Sequence, residues 1–383
     1  MFTVKINCFM LGRFIKLCAF FSVFTFVFPS CYAQTAEENF SDYNLYFDSL
    51  NRVYKQQQFD SLFRCMVKDK GFNGVMLVAQ GDQILYENVA GFANFSTKEP
   101  LDLHASFEIA SLSKMFTAAA ILQLYEAKKM NINQLVTDFF PDFPYKTITV
   151  HHLLCHRSGL PEYFNFAGRY HKNRLFPLTN DSLLSMIQKY KPKCAALPDK
   201  KFDYNNTGYA ILASIIEKVS GVSFEQYLKT RFFEPLGMKE TFLYRYGSDQ
   251  KITMGHWASK RVYTRDYLSG VVGDKGIFSS MYDLYTWEKA LFFGDIISKE
   301  SLAHMSFPQH SDMSDCSNYG YGLRLSCDDK ENPLLFHGGL WNGNHNLFVH
   351  RPSDSTLIVF LSNVFNRSFT WRSSDILRIL DEL

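Results

Sequence analysis

The sequence predicts a mixed α/β protein of the α+β type, with one sheet assembled from both ends of the chain and a helical region inserted between them. Three observations carry this reading. GVMLVAQGDQILYENVAGFA (74–93) reads as two strands around a Gly81-Asp82 turn. From residue 111 to about 265 helical patterns dominate, in AAAILQLYEAKKM, DSLLSMIQKY and YAILASIIEKVSG, the last closed by Gly221. Strand signals then return in YGYGLRL, LLFHGG, HNLFVHR and TLIVFLSN, short β-branched or aromatic runs, ahead of a helical end, SSDILRILDEL. Strands at both ends imply one mixed sheet completed by the N-terminal hairpin, and a site in the cleft beside the helical subdomain.

At the N-terminus, Lys5, Arg13 and Lys16 precede a short apolar run, LCAFFSVFTFVF (17–28), and Cys31-Tyr32-Ala33 gives a small-x-small site before Gln34. This predicts a signal peptide over 1–33 and an exported chain, periplasmic or secreted. The run is too short for a spanning helix, and no transmembrane helix is expected in the mature chain. FPSC also resembles a lipoprotein box, so lipid anchoring at Cys31 is a second reading, which Phe28 and Pro29 fit poorly. Residues 34–70, with Leu45, Tyr46, Ser49, Leu50 and Val53 at helical spacing, form an N-terminal helical extension. Residues 71–383 form the main domain, whose helical subdomain covers approximately 115–265.

The chain has 383 residues and 46% hydrophobic content, including 37 Phe and 21 Tyr, enough for a large packed core. Loss of residues 1–33 removes three basic residues and no acidic ones, taking the formal charge from +2 to −1. No basic footprint for nucleic acid remains. Five cysteines then stay in the chain, Cys65, Cys155, Cys194, Cys316 and Cys327, an odd number that leaves at least one thiol unpaired. Cys316 and Cys327 flank YGYGLRL, a placement open to a bridge across a hairpin. Scattered spacing argues against a disulfide scaffold or a zinc cage.

The chemistry begins at IASLSKMFTA (109–118), where Ser111 stands three positions ahead of Lys114. On a helix these share a face, so Oγ and Nζ can touch. Alone, the pair reads equally as an amphipathic helix with a snorkelling lysine. Tyr204-Asn205-Asn206 lies before a long apolar helix, where the plain reading is a cap formed by Asn206 or Thr207. His337-Gly338-Gly339 lies near the C-terminus, where the plain reading is a glycine-rich turn after an edge strand. Each is weak singly, but their order and spacing are specific.

Ser-x-x-Lys, Tyr-x-Asn about ninety residues on and a basic-x-Gly strand near the C-terminus resemble the serine β-lactamase and penicillin-binding protein superfamily, and within it the class C branch. ITVHHLLCHRSGLP (148–161), FEPLGMKETF (233–242) and GDKGIFSSMYDLYTWEKALF (273–292) extend the resemblance over roughly residues 70–383. It implies a β-lactamase/transpeptidase-like fold, an antiparallel sheet flanked by helices with an inserted all-helical subdomain. It further implies Ser111 as nucleophile, Lys114 as proton acceptor and Tyr204 as the group that passes a proton to the leaving group. Asn206 is expected to hold Lys114 and the acyl-side amide of the substrate. The backbone N–H groups of Ser111 and Leu340 are expected to form the oxyanion hole. Gly339, lacking a side chain, is expected to let substrate lie against the strand.

One departure bears on substrate. Where β-lactamases carry Lys-Thr-Gly, this chain has His337-Gly338-Gly339, and His337 reads either as an imidazolium contact for a substrate carboxylate or as a neutral ring that only hydrogen-bonds across the cleft. His152 and His156 stand at i, i+4, but Leu153 replaces the glutamate of a zinc-protease helix and no third ligand follows, so no metal or cofactor is expected. Trp287 and Trp341 read as core and cleft-lining aromatics. The expected activity is hydrolysis of a small amide or ester through an acyl-enzyme, with D-Ala-D-Ala-type peptides as substrate class and peptidoglycan as the partner this implies. A β-lactamase or carboxylesterase is the alternative within enzymes, and a peptide-binding module without turnover the alternative outside them.

Overall fold

The computed structural model describes residues 31–248, 250, 252–294, 296–366 and 372–382, with side chains from residue 50 onward. The expected signal peptide, apart from residues 31–33, lies outside the described residues. Residues 54–383 form one compact unit, separate from what precedes them. Helix α1 runs over Cys31–Lys70, and no helix among the described residues is long and apolar enough to cross a membrane.

The principal sheet has seven strands. They are β1 (Gly74–Gln80), β2 (Gln83–Ala90), β3 (Ser317–Tyr319), β4 (Arg324–Cys327), β5 (Pro333–Trp341), β6 (Asn344–Arg351) and β7 (Thr356–Ser362), in the order β2-β1-β7-β6-β5-β4-β3. Every pairing is antiparallel. The N-terminal hairpin joins the C-terminal strands through β1 and β7, in register from Gly74↔Ser362 to Gln80↔Thr356. Successive side chains of a strand point to opposite faces, and here both faces are covered. Met76, Val78, Ile358 and Phe360 pack with Phe59, Phe63 and Met66 of α1 and with Ile376 and Leu380 of the C-terminal helix Arg372–Asp381. Val75, Leu77, Val359 and Leu361 belong to the larger core, shared with helix α2 (Ser113–Glu126), helix α3 (Asn206–Ser220) and helix α4 (Met281–Phe292). Phe116 of α2 stacks on Trp287 of α4, ring centroids 3.8 Å apart. Each such buried side chain contributes about 1.5–3 kcal/mol of hydrophobic stabilisation.

The inserted region differs from an all-helical one. Its helices end with the turn at Lys229–Phe233, and the short strand Phe242–Leu243 pairs with Ile277–Ser279 in a separate three-stranded sheet. YGYGLRL is not one strand. Residues 320–323 form the turn between β3 and β4, closed by Gly320 N–H to Leu323 O at 2.9 Å. Gly322 there has φ +73°, and a β-carbon on it would come within 2.6 Å of the Lys114 carbonyl oxygen. Cys316 and Cys327 are disulfide-bonded across the open end of this hairpin, Cα atoms 4.9 Å apart.

Two adjacent glycines show how tightly β5 meets the start of α2. A β-carbon on Gly339 would lie 2.2 Å from the Ile109 carbonyl oxygen and 3.0 Å from Leu112 Cδ1, whereas one on Gly338 would have its nearest contact at 3.8 Å. The β-carbon position of Gly339 is therefore filled by the 109–112 turn, a second constraint on that glycine beside the one read from the sequence. Gly339→Ala should lower stability by about 1–3 kcal/mol through forced separation of strand and turn, and Gly338→Ala by no more than about 0.5 kcal/mol. Urea denaturation of the two variants checks this; equal losses would remove the close approach as the reason for Gly339.

Candidate active site

Ser111 lies in a 3-10 turn, Ala110–Leu112, that runs directly into α2. The preceding Ala110 has φ +52°, a left-handed conformation that costs a non-glycine residue energy and marks over-determined local structure. α2 is buried on nearly all sides, so Lys114 does not snorkel: it is 0% exposed. Its Nζ lies 3.1 Å from Ser111 Oγ, 2.9 Å from Asn206 Oδ1 and 2.9 Å from the Asp274 carbonyl oxygen. The Tyr204 ring centroid is 4.9 Å away. Three segments far apart in sequence thus converge on one amine.

The cap of α3 falls one residue earlier than the sequence reading placed it. Asn205 is the N-cap, its side chain accepting from Gly208 N–H at 3.0 Å, and this releases Asn206, the first helical residue, to face Lys114. Asn206 also donates from Nδ2 and from its backbone N–H to Glu162 Oε2, at 3.0 and 2.8 Å. Burial is the main cause that pushes the Glu162 carboxyl above the usual range. Tyr204 is flanked by His156, ring centroids 4.3 Å apart, and by the Arg324 guanidinium, 5.0 Å from its centroid.

A cavity of about 390 Å³ is lined by Ser111, Tyr204, Asn206, Asp274, Lys275, Arg324, His337, Gly339, Leu340 and Trp341, so the cavity gathers the sequence-predicted residues except Lys114, which lies beneath its floor. β4 pairs with β5 only over Pro333–Phe336, and the β5 edge from His337 to Trp341 makes no ladder on the cavity side. Unpaired strand edge of this kind offers N–H and C=O groups to an extended ligand.

Of the two readings of His337, the geometry supports the neutral ring. It is 1% exposed, and burial first, then the Arg324 guanidinium, push its pKa well below that of an ordinary imidazole. Nδ1 lies 2.7 Å from the Gly338 carbonyl oxygen, which can only accept, so Nδ1 carries the proton and Nε2 accepts from Tyr319 Oη at 3.1 Å. The ring is a neutral brace between β5 and β3. The positive charge facing the cavity comes instead from Arg324, which makes no ion pair among the described residues. Sequence reasoning missed Arg324 because YGYGLRL carries no signal for which of its side chains faces the cavity once the chain turns.

Asp274 and Lys275 were also missed. Both are buried, at 1% and 3% exposure. Lys275 Nζ donates to Tyr163 Oη at 2.5 Å and to Val271 O at 3.0 Å, and Tyr163 Oη donates to Asp274 Oδ2 at 3.1 Å. This network fixes the Asp274 carbonyl that accepts from Lys114. The signal in the sequence was a charged pair, Asp274-Lys275, inside an otherwise apolar and glycine-rich stretch. His152 and His156 are committed elsewhere: each accepts a backbone N–H at Nδ1, from Thr149 at 3.2 Å and Asn205 at 3.0 Å respectively. No metal-binding cluster of His, Cys, Asp or Glu occurs among the described residues.

The family model described as Beta-lactamase matches residues 59–380. Penicillin-binding protein 4* of Bacillus subtilis (strain 168) is 32% identical over 328 residues, covering 81% of this chain and 72% of the relative. A D-aminopeptidase of Brucella anthropi is 27% identical over 284 residues, 72% of this chain but only 52% of the relative. Among solved structures, a penicillin binding protein from Bacillus halodurans superposes with a TM-score of 0.72 at 25% identity, covering 83% of this chain and 98% of that one. The match spans the principal sheet and the cleft alike, and the chain belongs to the Beta-lactamase family of serine hydrolases.

Proposed function

We propose that the protein hydrolyses a small amide or ester through an acyl-enzyme on Ser111. The observation that carries this reading is the buried Lys114 amine 3.1 Å from Ser111 Oγ beneath the floor of an open cavity. Ser111 Oγ attacks the substrate carbonyl carbon and its proton passes to Lys114, acting as the free amine. The oxyanion is held by the backbone N–H groups of Ser111 and Leu340. Tyr204 delivers a proton to the leaving group, and water then attacks the acyl carbon to restore Ser111. Asn206 keeps Lys114 in place through Oδ1, and one N–H of its Nδ2 is left for the acyl-side amide of the substrate.

The substrate class follows from Arg324. A guanidinium stays charged through the physiological range and suits a carboxylate, so it serves the function otherwise open to an imidazolium at His337, with His337 holding the strand that the substrate lies along. A peptide ending in D-Ala-D-Ala fits this arrangement, in keeping with relatives named as penicillin-binding proteins and D-aminopeptidases. A β-lactam carries a carboxylate too, and the same cation supports that second reading. We place the reaction outside the cytoplasm, on the strength of the signal-like first 33 residues.

A fluorophosphonate or a slowly released penicillin should add one covalent mass to the peptide containing SLSK, and Ser111→Ala should abolish the label, as read by intact-mass and peptide-mass spectrometry. Persistent labelling in the variant would sink the assignment.

Arg324→Ala should raise KM for a carboxylated substrate about tenfold or more, the worth of a charge-assisted hydrogen bond of about 1.5–3 kcal/mol, while KM for a neutral nitrophenyl ester stays within about threefold. Because burial pushes the His337 pKa well below that of an ordinary imidazole, the ring stays neutral from pH 6 to 8, and wild-type KM for the carboxylated substrate should be flat over that window. A KM that climbs steeply with pH in this window would return the recognition role to His337.

A further inference from the structure

We propose that Glu162 is a positioning residue for acylation: its carboxylate decides which way round the Asn206 amide faces, and thereby keeps Asn206 Oδ1 on Lys114. This rests on the reading of Ser111 and Lys114 as nucleophile and proton acceptor.

The two ends of an asparagine amide have nearly the same shape and opposite hydrogen-bonding character. At Asn206 the distinction matters. Lys114 Nζ needs an acceptor on that side, and Oδ1 supplies it at 2.9 Å. Were the amide reversed, its NH2 would point at the lysine and the oxygen would face Glu162. An ionised carboxylate only accepts, so Glu162 Oε2, 3.0 Å from Nδ2, admits one orientation and opposes the other. The same oxygen accepts the Asn206 backbone N–H at 2.8 Å, which ties the carboxylate to the main chain of the residue it orients.

Glu162 is itself held by the turn it reads. Asn205 Nδ2 donates to Leu160 O at 2.8 Å, Thr207 Oγ1 donates to Pro161 O at 2.7 Å, and Tyr163 N–H donates to Thr207 Oγ1 at 2.8 Å. Asn205 and Thr207, on either side of Asn206 in the chain, therefore stitch residues 160–163 in place on both sides of Glu162. A carboxylate at a helix N-terminus also stabilises the helix, and a purely structural role would end there. The direct contact with the side chain of Asn206 goes further.

The test uses the full chain and measures burst acylation and steady-state hydrolysis of a nitrophenyl ester in Glu162→Ala, Glu162→Gln, Asn206→Ala, Asn206→Asp and the double variants. Wild-type acylation at Ser111 is established first by peptide mass, and its failure counts against the proposed function and not against Glu162 alone. With it in hand, Glu162→Ala should lower kcat tenfold or more with KM within threefold, Glu162→Gln, which keeps an acceptor, should recover to within threefold of wild type, and Glu162→Ala should change the rate less than twofold in the Asn206→Ala background. Asn206→Asp should be slow because two carboxylates then face each other, and adding Glu162→Gln should recover at least tenfold. That last comparison holds even if Glu162→Ala fails to fold. Additive effects of Glu162→Ala and Asn206→Ala, or no recovery of Asn206→Asp by Glu162→Gln, would overturn the proposal.

Discussion

The amine of Lys114 is the point on which the rest of the molecule depends. Removing an amine of this kind from water costs on the order of several kcal/mol unless hydrogen-bond partners replace the solvent, and no single segment supplies them. Ser111 comes from the turn before α2, Asn206 from the first turn of α3 and the Asp274 carbonyl from the loop before Ile277–Ser279. Each partner is fixed in turn: Asn205 caps α3 so that Asn206 is free, and Tyr163 with Lys275 pins Asp274. The packing of α2 against α3 and α4 keeps bulk water from the amine itself. Core and chemistry are thus one construction, because the same helix buries Phe116 and presents Lys114.

What could be read in the sequence was whatever depends on short spacing or long periodic runs. Ser111 and Lys114 were legible because chemistry demands them three residues apart. The two-ended sheet was legible from apolar strands of seven or more residues such as β1 and β7. The strand Phe242–Leu243 was not, since two residues carry no period. YGYGLRL misled because its tyrosines favour strands, whereas Gly322 at φ +73° allows the chain to turn there. The cap moved from Asn206 to Asn205 because adjacent asparagines have equal propensity, and only the Glu162 and Lys114 contacts tell them apart.

The residues that sequence left unread share a different property: their meaning lies in contacts across long separations. Glu162 acts on a side chain 44 positions away and Asp274 on one 160 positions away. Arg324 reaches the cavity only because the hairpin β3–β4 folds its tip against α2, with Cys316 and Cys327 joined at the other end. Histidine in place of lysine at 337 is intelligible in that setting. A buried neutral ring can brace Tyr319 while a guanidinium one strand away carries the charge.

The pairing of β1 with β7 has a bearing on how the chain reaches this state. Gly74 finds its partner at Ser362, so all the residues between them must be synthesised before the middle of the sheet exists. Until then Val75 to Val78, all apolar, have β2 on one edge and no partner on the other. Non-local closure of this kind is slow and leaves an aggregation-prone edge in the unfinished chain. The fold therefore favours completion in a single late step, in which the last strand seals the sheet, joins the two cores across it and brings the β5 edge against Ser111. A chain truncated before β7 would lose the centre of its sheet along with its end.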